Sequence, residues 1–471
     1  MYDQRLYIDG EWLAGSTSRT IFDRWTGEGI GTSAIATAED ARRAVDSAER
    51  AMAEGLPIPR RAAILRATAD AIATQEESFA RAITSETGKP ISAARAEVRR
   101  AVETLTWSAE EARRLPAEAV ALDAVEAGAG TFSFTIAEPR GIAAAITPFN
   151  FPVNLVVHKL GPALAAGCAV VLKPSDKAVL VAGMLVDAFA SQGLPAGWLN
   201  LVTGDAQEVV SEWQSDERVA VVTFTGSSEV GWSLRERSPR KHHVLELGSN
   251  TAMVIAADAD LDRATEDAVT AAFSNSGQAC VSLQRLYVVK DVAPQVIDRL
   301  TERVRAVRSG DPRDDDTLVG PLITDAAADR IKEHIDAAVA AGARLMAGGS
   351  AKGSVFEPTL LADVPADAAL VCAEVFGPVL SVIVVDDLDH AVASVNDSDY
   401  GLNTAIYTSQ LATAMDYARR AEAGSVLVNT PPSFRADHMP YGGVKDSGHG
   451  VEGVKYAVAE LVRQKLVVLR P

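Results

Sequence analysis

Cysteine is scarce in this chain, with 3 in 471 residues: Cys168, Cys280 and Cys372. An odd number at wide spacing is no disulfide framework. None belongs to a Cys-x-x-Cys pair, and the 7 histidines include no His-Glu-x-x-His, so no metal site with sensible ligand spacing is offered. Basic residues are also short. Lys and Arg number 45 against 63 Asp and Glu, a formal net charge of −18, which works against attraction to phosphate backbones and anionic membrane surfaces. Neither nucleic acid nor a membrane is an expected partner. No apolar run approaches the roughly 20 residues that span a bilayer. The opening MYDQRLYIDGEW has acids where a signal peptide carries its basic stretch, so the expected location is cytoplasmic.

What is present is enough apolar sequence to fill more than one core, at 48% hydrophobic residues. Alanine-rich helical periodicity fills the first third. From Gly141 onward short apolar runs (GIAAAI, CAVVLK, LNLVT, AVVTFT, VLELG) alternate with helical segments, which predicts right-handed crossovers and a parallel, doubly wound sheet. The second half repeats the texture and predicts a second α/β domain. Thr131 to Ala137 and Leu461 to Leu469 read as strands outside both patterns, placed to pair across a subunit boundary.

Four segments put unusual residues where strands end. In Thr147-Pro-Phe-Asn-Phe-Pro152 two prolines stiffen a turn that displays Asn150 at the carboxyl edge of a sheet; the alternative is a turn with a capping Asn. Lys173-Pro-Ser-Asp176 leaves a cation and a carboxylate suited to ribose hydroxyls, or is an ordinary helix start. Phe224-Thr-Gly-Ser227 opens a helix whose free N–H groups and dipole suit a pyrophosphate, without the G-x-G-x-x-G fingerprint; it also reads as a structural cap. Finally, Glu246 ends an apolar strand, where a carboxylate is costly unless used, and Cys280 follows the glycine-bearing turn Gly277-Gln-Ala. Cys168 and Cys372 read as small buried hydrophobes.

In this order and over nearly the whole chain, ITPFNFP, LKPSD, FTGSSEVG, LELGSN, SGQACVS, EVFGPV and NDSDYGLNTAIYT resemble the aldehyde dehydrogenase superfamily. The resemblance implies an α/β fold with a Rossmann-type cofactor domain (1–124 and 141–245), a second α/β catalytic domain (246–450) and small β oligomerisation segments (125–140 and 451–471). It implies a homodimer or homotetramer that takes an aldehyde and NAD, with NADP less favoured. Carried over by residue, Cys280 is similar to the family's nucleophile and Glu246 to its base, and Asn150 with the Cys280 N–H to its oxyanion hole. Glu374 and Phe376 resemble the pair at the nicotinamide. Ile146, Thr147, Pro148, Phe149, Lys173, Ser175, Asp176, Gly204, Phe224, Thr225, Gly226, Ser227, Leu247 and Gly248 fall where the family contacts the dinucleotide. Two positions depart from the pattern: Ser249 replaces a second glycine and Asp176 the more usual glutamate.

The substrate reading rests on Arg100, His158, Arg435 and His438, which give the expected mouth a basic, hydrogen-bonding character. His158 follows Asn150 by two helical turns on one predicted helix, and so faces the same cavity. It stands where succinic semialdehyde dehydrogenases carry an arginine. The arginines are similar to those of members that oxidise small hydroxy-, phospho- or phosphono-aldehydes, although Ala279 stands where the phosphonoacetaldehyde enzymes carry an anion-binding arginine. The bland alternative pairs Arg100 with Glu97 or Glu103, and Arg435 with Asp437. A CoA-acylating enzyme and a catalytically silent binding protein are the competing functions; retention of Glu246 with Cys280 and Asn150 speaks against both.

Overall fold

The computed structural model describes residues 2–470; Met1 and Pro471, the outermost positions of the terminal segments set out above, lie outside them. Five apolar stretches make the parallel core of one sheet: β1 (Ile142–Ile146), β2 (Val170–Lys173), β3 (Leu199–Leu201), β4 (Val219–Thr225) and β5 (His242–Glu246). Their residues are almost all buried, as unbroken apolar runs require of strands covered on both faces. Across the sheet the order is β3, β2, β1, β4, β5. The chain winds outward one way from β1 and the other way from β4. The crevice beyond the carboxyl ends of β1 and β4 is therefore the switch point at which open α/β sheets bind ligands. The register sets Lys173, Ile146, Phe224 and Leu245 in one row at this edge, with Thr225 and Glu246 paired one residue beyond.

The hairpin Leu6–Ile8 and Glu11–Leu13 extends the β3 side. It turns at Asp9 and Gly10, with φ of 56° and 81°, the left-handed pair that a two-residue hairpin needs and an Asp-Gly sequence favours. At the opposite edge Gly448–His449 pairs antiparallel with β5, so the chain returns to the first sheet near its end.

A second sheet contains β6 (Ala252–Ile255), β7 (Arg285–Val289), β8 (Thr359–Ala362), β9 (Val379–Val385), β10 (Asn403–Tyr407) and β11 (Ser425–Val428). Its order is β8, β9, β7, β6, β10, β11, with Arg344–Ala347 antiparallel outside β8. The two strands read as lying outside both α/β patterns pair antiparallel with each other, from Val462 opposite Pro139 to Leu469 opposite Phe132. The two distant segments thus satisfy each other's backbone on one edge of each strand. The ribbon leaves Phe132, Ile136, Leu466 and Val468 exposed.

Two helices position the bend that carries Asn150. Helix α1 (Ile91–Glu111) buries Ala94, Val98, Ala101 and Leu105 at intervals of three and four, the stripe of an amphipathic helix. Glu97 lies on that stripe. Its carboxylate is paired with Lys89, equally buried, whose Nζ sits 3.6 Å over the Phe151 ring. It also accepts the N–H groups of Val153 (2.8 Å) and Asn154 (3.1 Å), which open helix α2 (Asn154–Ala166). Asn150 is thus in the bend before α2, and the expectation that Asn150 and His158 share a helix is corrected. The cause is local: the two prolines and the Glu97 carboxylate delay the helix start.

Replacing Glu97 with Ala strands the Lys89 ammonium and two N–H groups in the core, a loss of about 3–5 kcal/mol. A clear fall in the thermal unfolding midpoint is expected for Glu97→Ala, and a smaller one for Glu97→Gln, which retains an acceptor. An unchanged midpoint in the alanine variant would show that the pair contributes nothing to the helix start.

Candidate active site

Helix α3 (Ser228–Arg237) follows β4, and helix α4 (Leu261–Phe273) leads into the turn that carries Cys280. Asn275, Ser276 and Gly277 have φ of 54°, 58° and 68°, so three left-handed residues in succession reverse the chain. A Cβ at Gly277 would lie 2.1 Å from the Gly377 carbonyl oxygen, which makes glycine obligatory there. Asn275 Nδ2 donates to the carbonyls of Gln278 (3.1 Å) and Asn150 (3.3 Å), and Asn150 Nδ2 donates to Gln278 O at 3.0 Å. The turn is thereby stapled to the bend after β1. The Cys280 N–H is taken by no backbone carbonyl among the described residues.

Cys280 lies on the wall of a cavity of about 240 Å³ shared with Arg100, Asn154, Leu155, Arg435 and Tyr441. That is below the roughly 300–1,000 Å³ of pockets for drug-sized ligands, and suits a short substrate. Burial pushes the Cys280 thiol up to about 11; the Tyr441 hydroxyl, 3.2 Å from Sγ, and Arg435 pull it down. A larger cavity, about 780 Å³, opens beside Val219 and His242, at the amino ends of β4 and β5. It is lined by no cysteine and lies at the end of the sheet opposite the carboxyl-edge crevice.

Asn150 and Glu246 do not line the smaller cavity; Asn150 reaches the turn that carries Cys280 through Gln278, and the Glu246 carboxyl acts on Cys280 from the end of β5. Glu246 is buried, and neither carboxyl oxygen has a partner among the described residues. Burial, then the nearby Glu452, raises it well above the ordinary carboxylate range, opposed by Arg435 and Lys159. For Glu452, burial acts in the same direction. Lys159 (2.9 Å) and Arg435 (3.1 Å) overcome it and hold this carboxyl down to about 2. Two neighbouring carboxyls are thus driven apart, Glu246 upward and Glu452 downward.

The crevice at the β1–β4 switch point fits a dinucleotide. Thr147 and Thr225 each have a buried hydroxyl with no partner among the described residues. A Cβ at Gly226 would meet the Phe224 ring at 2.4 Å, so the chain here leaves room for nothing larger. Ser227 caps α3 through Val230 N, which realises the structural alternative without closing the first turn to a ligand. Ile146, Phe224 and Leu247 form the apolar floor. Phe149 and Phe376 meet edge to face at 6.0 Å, with Pro148 joining Phe149 to Thr147. Glu374 accepts the Ser249 N–H at 3.0 Å, lies where a Cβ on Gly248 would come within 2.7 Å, and is raised by burial to about 7. Ser175 is spent on the Lys177 N–H, at 3.3 Å. Gly204 and Asp176 share a small cavity with Arg19.

Several expectations need correction. Asp176 is not an isolated carboxylate facing the crevice: Oδ2 accepts from Arg19 at 2.7 Å and Oδ1 from Lys173 at 2.8 Å, which leaves each oxygen a further lone pair. Arg100 makes a bidentate pair with Asp437 (2.8 and 3.0 Å), not with Glu97 or Glu103, and Arg435 pairs with Glu452 rather than Asp437. His158 lies behind the cavity wall, fully buried, with Nε2 2.8 Å from Asp437 Oδ1; burial and Arg435 lower its pKa. Its place at the wall is taken by Asn154 and Leu155, one turn earlier on α2. His438 is exposed and stacks on Trp107 at 4.8 Å, away from the cavity. Cys372 is exposed at the end of a single helical turn, whereas Cys168 is buried as expected. Tyr441, Asn154, Lys159 and Glu452 are residues of the site that the sequence reading passed over. The segment Pro440-Tyr-Gly-Gly443 held the signal for Tyr441, a bulky polar ring before two glycines.

Among the described residues no helix is long and apolar enough to cross a membrane, and no cluster of His, Cys, Asp and Glu is set to hold a metal. Residues 12–467 match the Aldehyde dehydrogenase family. The chain is 39% identical over 465 residues to a 3-sulfolactaldehyde dehydrogenase of Priestia aryabhattai, covering 98% of this chain and 97% of that one. It is 36% identical over 470 residues to a lactaldehyde dehydrogenase of Methanococcus maripaludis, covering 98% and 99%. An NADP-dependent glyceraldehyde-3-phosphate dehydrogenase from Bacillus halodurans, solved with NADP, superposes with a TM-score of 0.97 at 33% identity over 100% and 99% of the two chains. With its doubly wound cofactor sheet, its second α/β domain and this likeness along nearly its whole length, the chain belongs to the aldehyde dehydrogenase family, as an NAD(P)-dependent enzyme that oxidises an aldehyde to a carboxylic acid.

Proposed function

We propose that the enzyme oxidises a short aldehyde bearing a hydroxyl or anionic tail, through a thioester on Cys280. What carries this reading is the meeting on one turn of the Cys280 thiol and the Asn150 amide, with the Glu246 carboxyl close enough to act on the thiol's ionisation. The Cys280 thiolate attacks the aldehyde carbon, and the carbonyl oxygen becomes an oxyanion that accepts from Asn150 Nδ2 and the Cys280 N–H. Each such donor is worth on the order of 3 kcal/mol, about a hundredfold in rate. When bound, the nicotinamide supplies the acceptor for the hydride that leaves the same carbon. Glu246 then takes a proton from the water that hydrolyses the thioester. The upward shift of Glu246 suits the first half of the cycle, since a second anion beside the thiolate would oppose ionisation of the thiol. A buried general base next to the nucleophile favours water over CoA as the acyl acceptor.

The charge around the cavity supports an anionic or hydroxylated tail. Arg100, Lys159 and Arg435 face two ionised carboxylates, Asp437 and Glu452, which leaves one cation uncancelled. Arg435 Nε is buried without a partner among the described residues. The relatives named above act on sulfonated, hydroxylated and phosphorylated aldehydes by their names. For the cofactor, the Asp176 carboxylate favours NAD, while Arg19, half exposed beside it, offers a counter-charge to a 2′-phosphate. Both dinucleotides are therefore accepted, with NAD ahead.

Three measurements test this. Cys280→Ala is expected to abolish turnover and Glu246→Gln to give one equivalent of NADH and then stall. Because Glu246 must ionise for hydrolysis and its pKa is raised, wild-type kcat should climb with pH well above the ordinary glutamate range of about 4.3. Near-normal turnover in Cys280→Ala ends the mechanism. In the second, Arg19→Ala should raise the ratio of kcat/KM for NAD over NADP by about tenfold; an unchanged ratio removes Arg19 from cofactor choice. In the third, kcat/KM for a short hydroxy aldehyde with an anionic tail should exceed that for hexanal or benzaldehyde, and Arg100→Ala should cut the former by about ten- to a hundredfold while sparing hexanal. Equal losses with both substrates would make Arg100 a structural partner of Asp437 and nothing more.

A further inference from the structure

We infer that the Tyr441 hydroxyl donates a hydrogen bond to the Cys280 thiolate, and that this bond sets how much of the nucleophile is ionised near neutral pH. The inference rests on the reading of Cys280 as nucleophile. Tyr441 Oη lies 3.2 Å from Cys280 Sγ, within hydrogen-bonding range for sulfur, and the phenol has no other side-chain partner among the described residues. The ring is 2% exposed, and its backbone is fixed by a reciprocal pair with Glu452, Tyr441 N to Glu452 O at 3.0 Å and Glu452 N to Tyr441 O at 2.7 Å. The hydroxyl is therefore held at the reacting atom by structure that does not depend on the thiol.

Direction follows from which group gives up its proton first. Burial drives the phenol well above its ordinary value, so it keeps its proton throughout. When the thiol loses its own to solvent, the only arrangement left is O–H donating to sulfur. Arg435 strengthens the donor: its guanidinium lies 3.8 Å over the Tyr441 ring, anchored by Glu452, and a cation over the π face draws charge from the ring and polarises the O–H bond. The charged and titratable groups that face Cys280 are Tyr441 and Arg435 on the carboxy-terminal loops, Glu246 at the end of β5, Glu374 before β9 and Arg100 across the cavity from α1. A Tyr441→Phe exchange leaves all the others in place and removes one oxygen.

The test is the pH dependence of Cys280 alkylation by iodoacetamide in the full-length enzyme, read as the modified peptide by mass spectrometry so that Cys168 and Cys372 do not contribute. Alkylation forms the S–C bond as iodide leaves and reports the thiolate alone. The half-point is expected to move up by about one pH unit in Tyr441→Phe, with roughly tenfold slower alkylation at pH 7.5 and a similar loss in kcat/KM. The thermal midpoint should stay at the wild-type value. Should the phenylalanine variant fail to fold, wild-type enzyme made with 3-fluorotyrosine, whose more acidic phenol is a stronger donor, should show its half-point moved down instead. Superimposable profiles, in either comparison, overturn the inference. Cys280→Ala separates this from the larger reading: if that variant is inactive while the profiles superimpose, only the Tyr441 role is lost, and if it keeps turnover, the nucleophile assignment fails first.

Discussion

The left-handed turn before Cys280 is the constraint on which the rest of the site hangs. Two non-glycine residues, Asn275 and Ser276, are held at positive φ, a conformation that costs of order 1–3 kcal/mol each and persists only where the surroundings over-determine it. Here they do so from both sheets. Asn275 donates into the bend that carries Asn150, Ser276 exchanges hydrogen bonds with Gly320, and Gly277 is pressed against the Gly377 carbonyl. The segment that ends in Gly377 also carries Glu374 and Phe376, so one strained turn fixes the thiol, the amide and the Glu374–Phe376 segment relative to each other. Relaxing the turn would move all three.

Around that turn the chain buries more charge than solvation alone would allow, and it does so in closed sets. Lys89 with Glu97, Lys159 with Glu452, and Arg100 with Asp437 each satisfy one another, and His158 and Asn154 complete Asp437. A buried ion is expensive unless paired and fully hydrogen-bonded. The exceptions are accordingly informative. Among the buried polar groups with no partner among the described residues, Glu246, Asn150 Oδ1, Thr147 and Thr225 lie together at the carboxyl edge of the first sheet, while others, such as Thr68, Thr317 and His334 Nδ1, stand singly elsewhere. The packing energy of the two domains sustains a small set of unsatisfied groups at the place where a substrate and a dinucleotide would satisfy them.

How much of this was legible beforehand depended on sequence separation. The five core strands announce themselves as unbroken apolar runs, and once their order is known the edge row from Lys173 to Leu245 follows. Cys280 could be preferred over Cys168 and Cys372 because a glycine-bearing turn precedes it. The side-chain pairings that were misread or missed join residues far apart in the chain. Arg100 and Asp437 are separated by 337 residues, Arg19 and Asp176 by 157, and Tyr441 and Cys280 by 161; local patterning holds no trace of such contacts. Cys372 was misplaced for the opposite reason. Its helix is one turn long, and with Leu370 and Val371 as the buried residues there is no period from which to assign a face.

An anionic substrate poses an electrostatic difficulty that the arrangement answers. Arg435 favours the Cys280 thiolate through its field, yet it is one of the cations a negatively charged tail would engage. A tail that neutralises this charge would weaken its support for the nucleophile at the moment of attack, because Coulombic help over several ångströms is cancelled by any counter-charge that comes nearer. A hydrogen bond is not cancelled in this way, since it acts at contact distance and along a fixed direction. On the proposed reading the Tyr441 hydroxyl supplies support that persists when the substrate arrives, while Arg435, held by Glu452 on one side and stacked on the phenol ring on the other, keeps an Nε with no partner among the described residues. On that reading, a neutral donor at sulfur and a cation one ring away would divide between them the two duties of activating a thiol and admitting an anion.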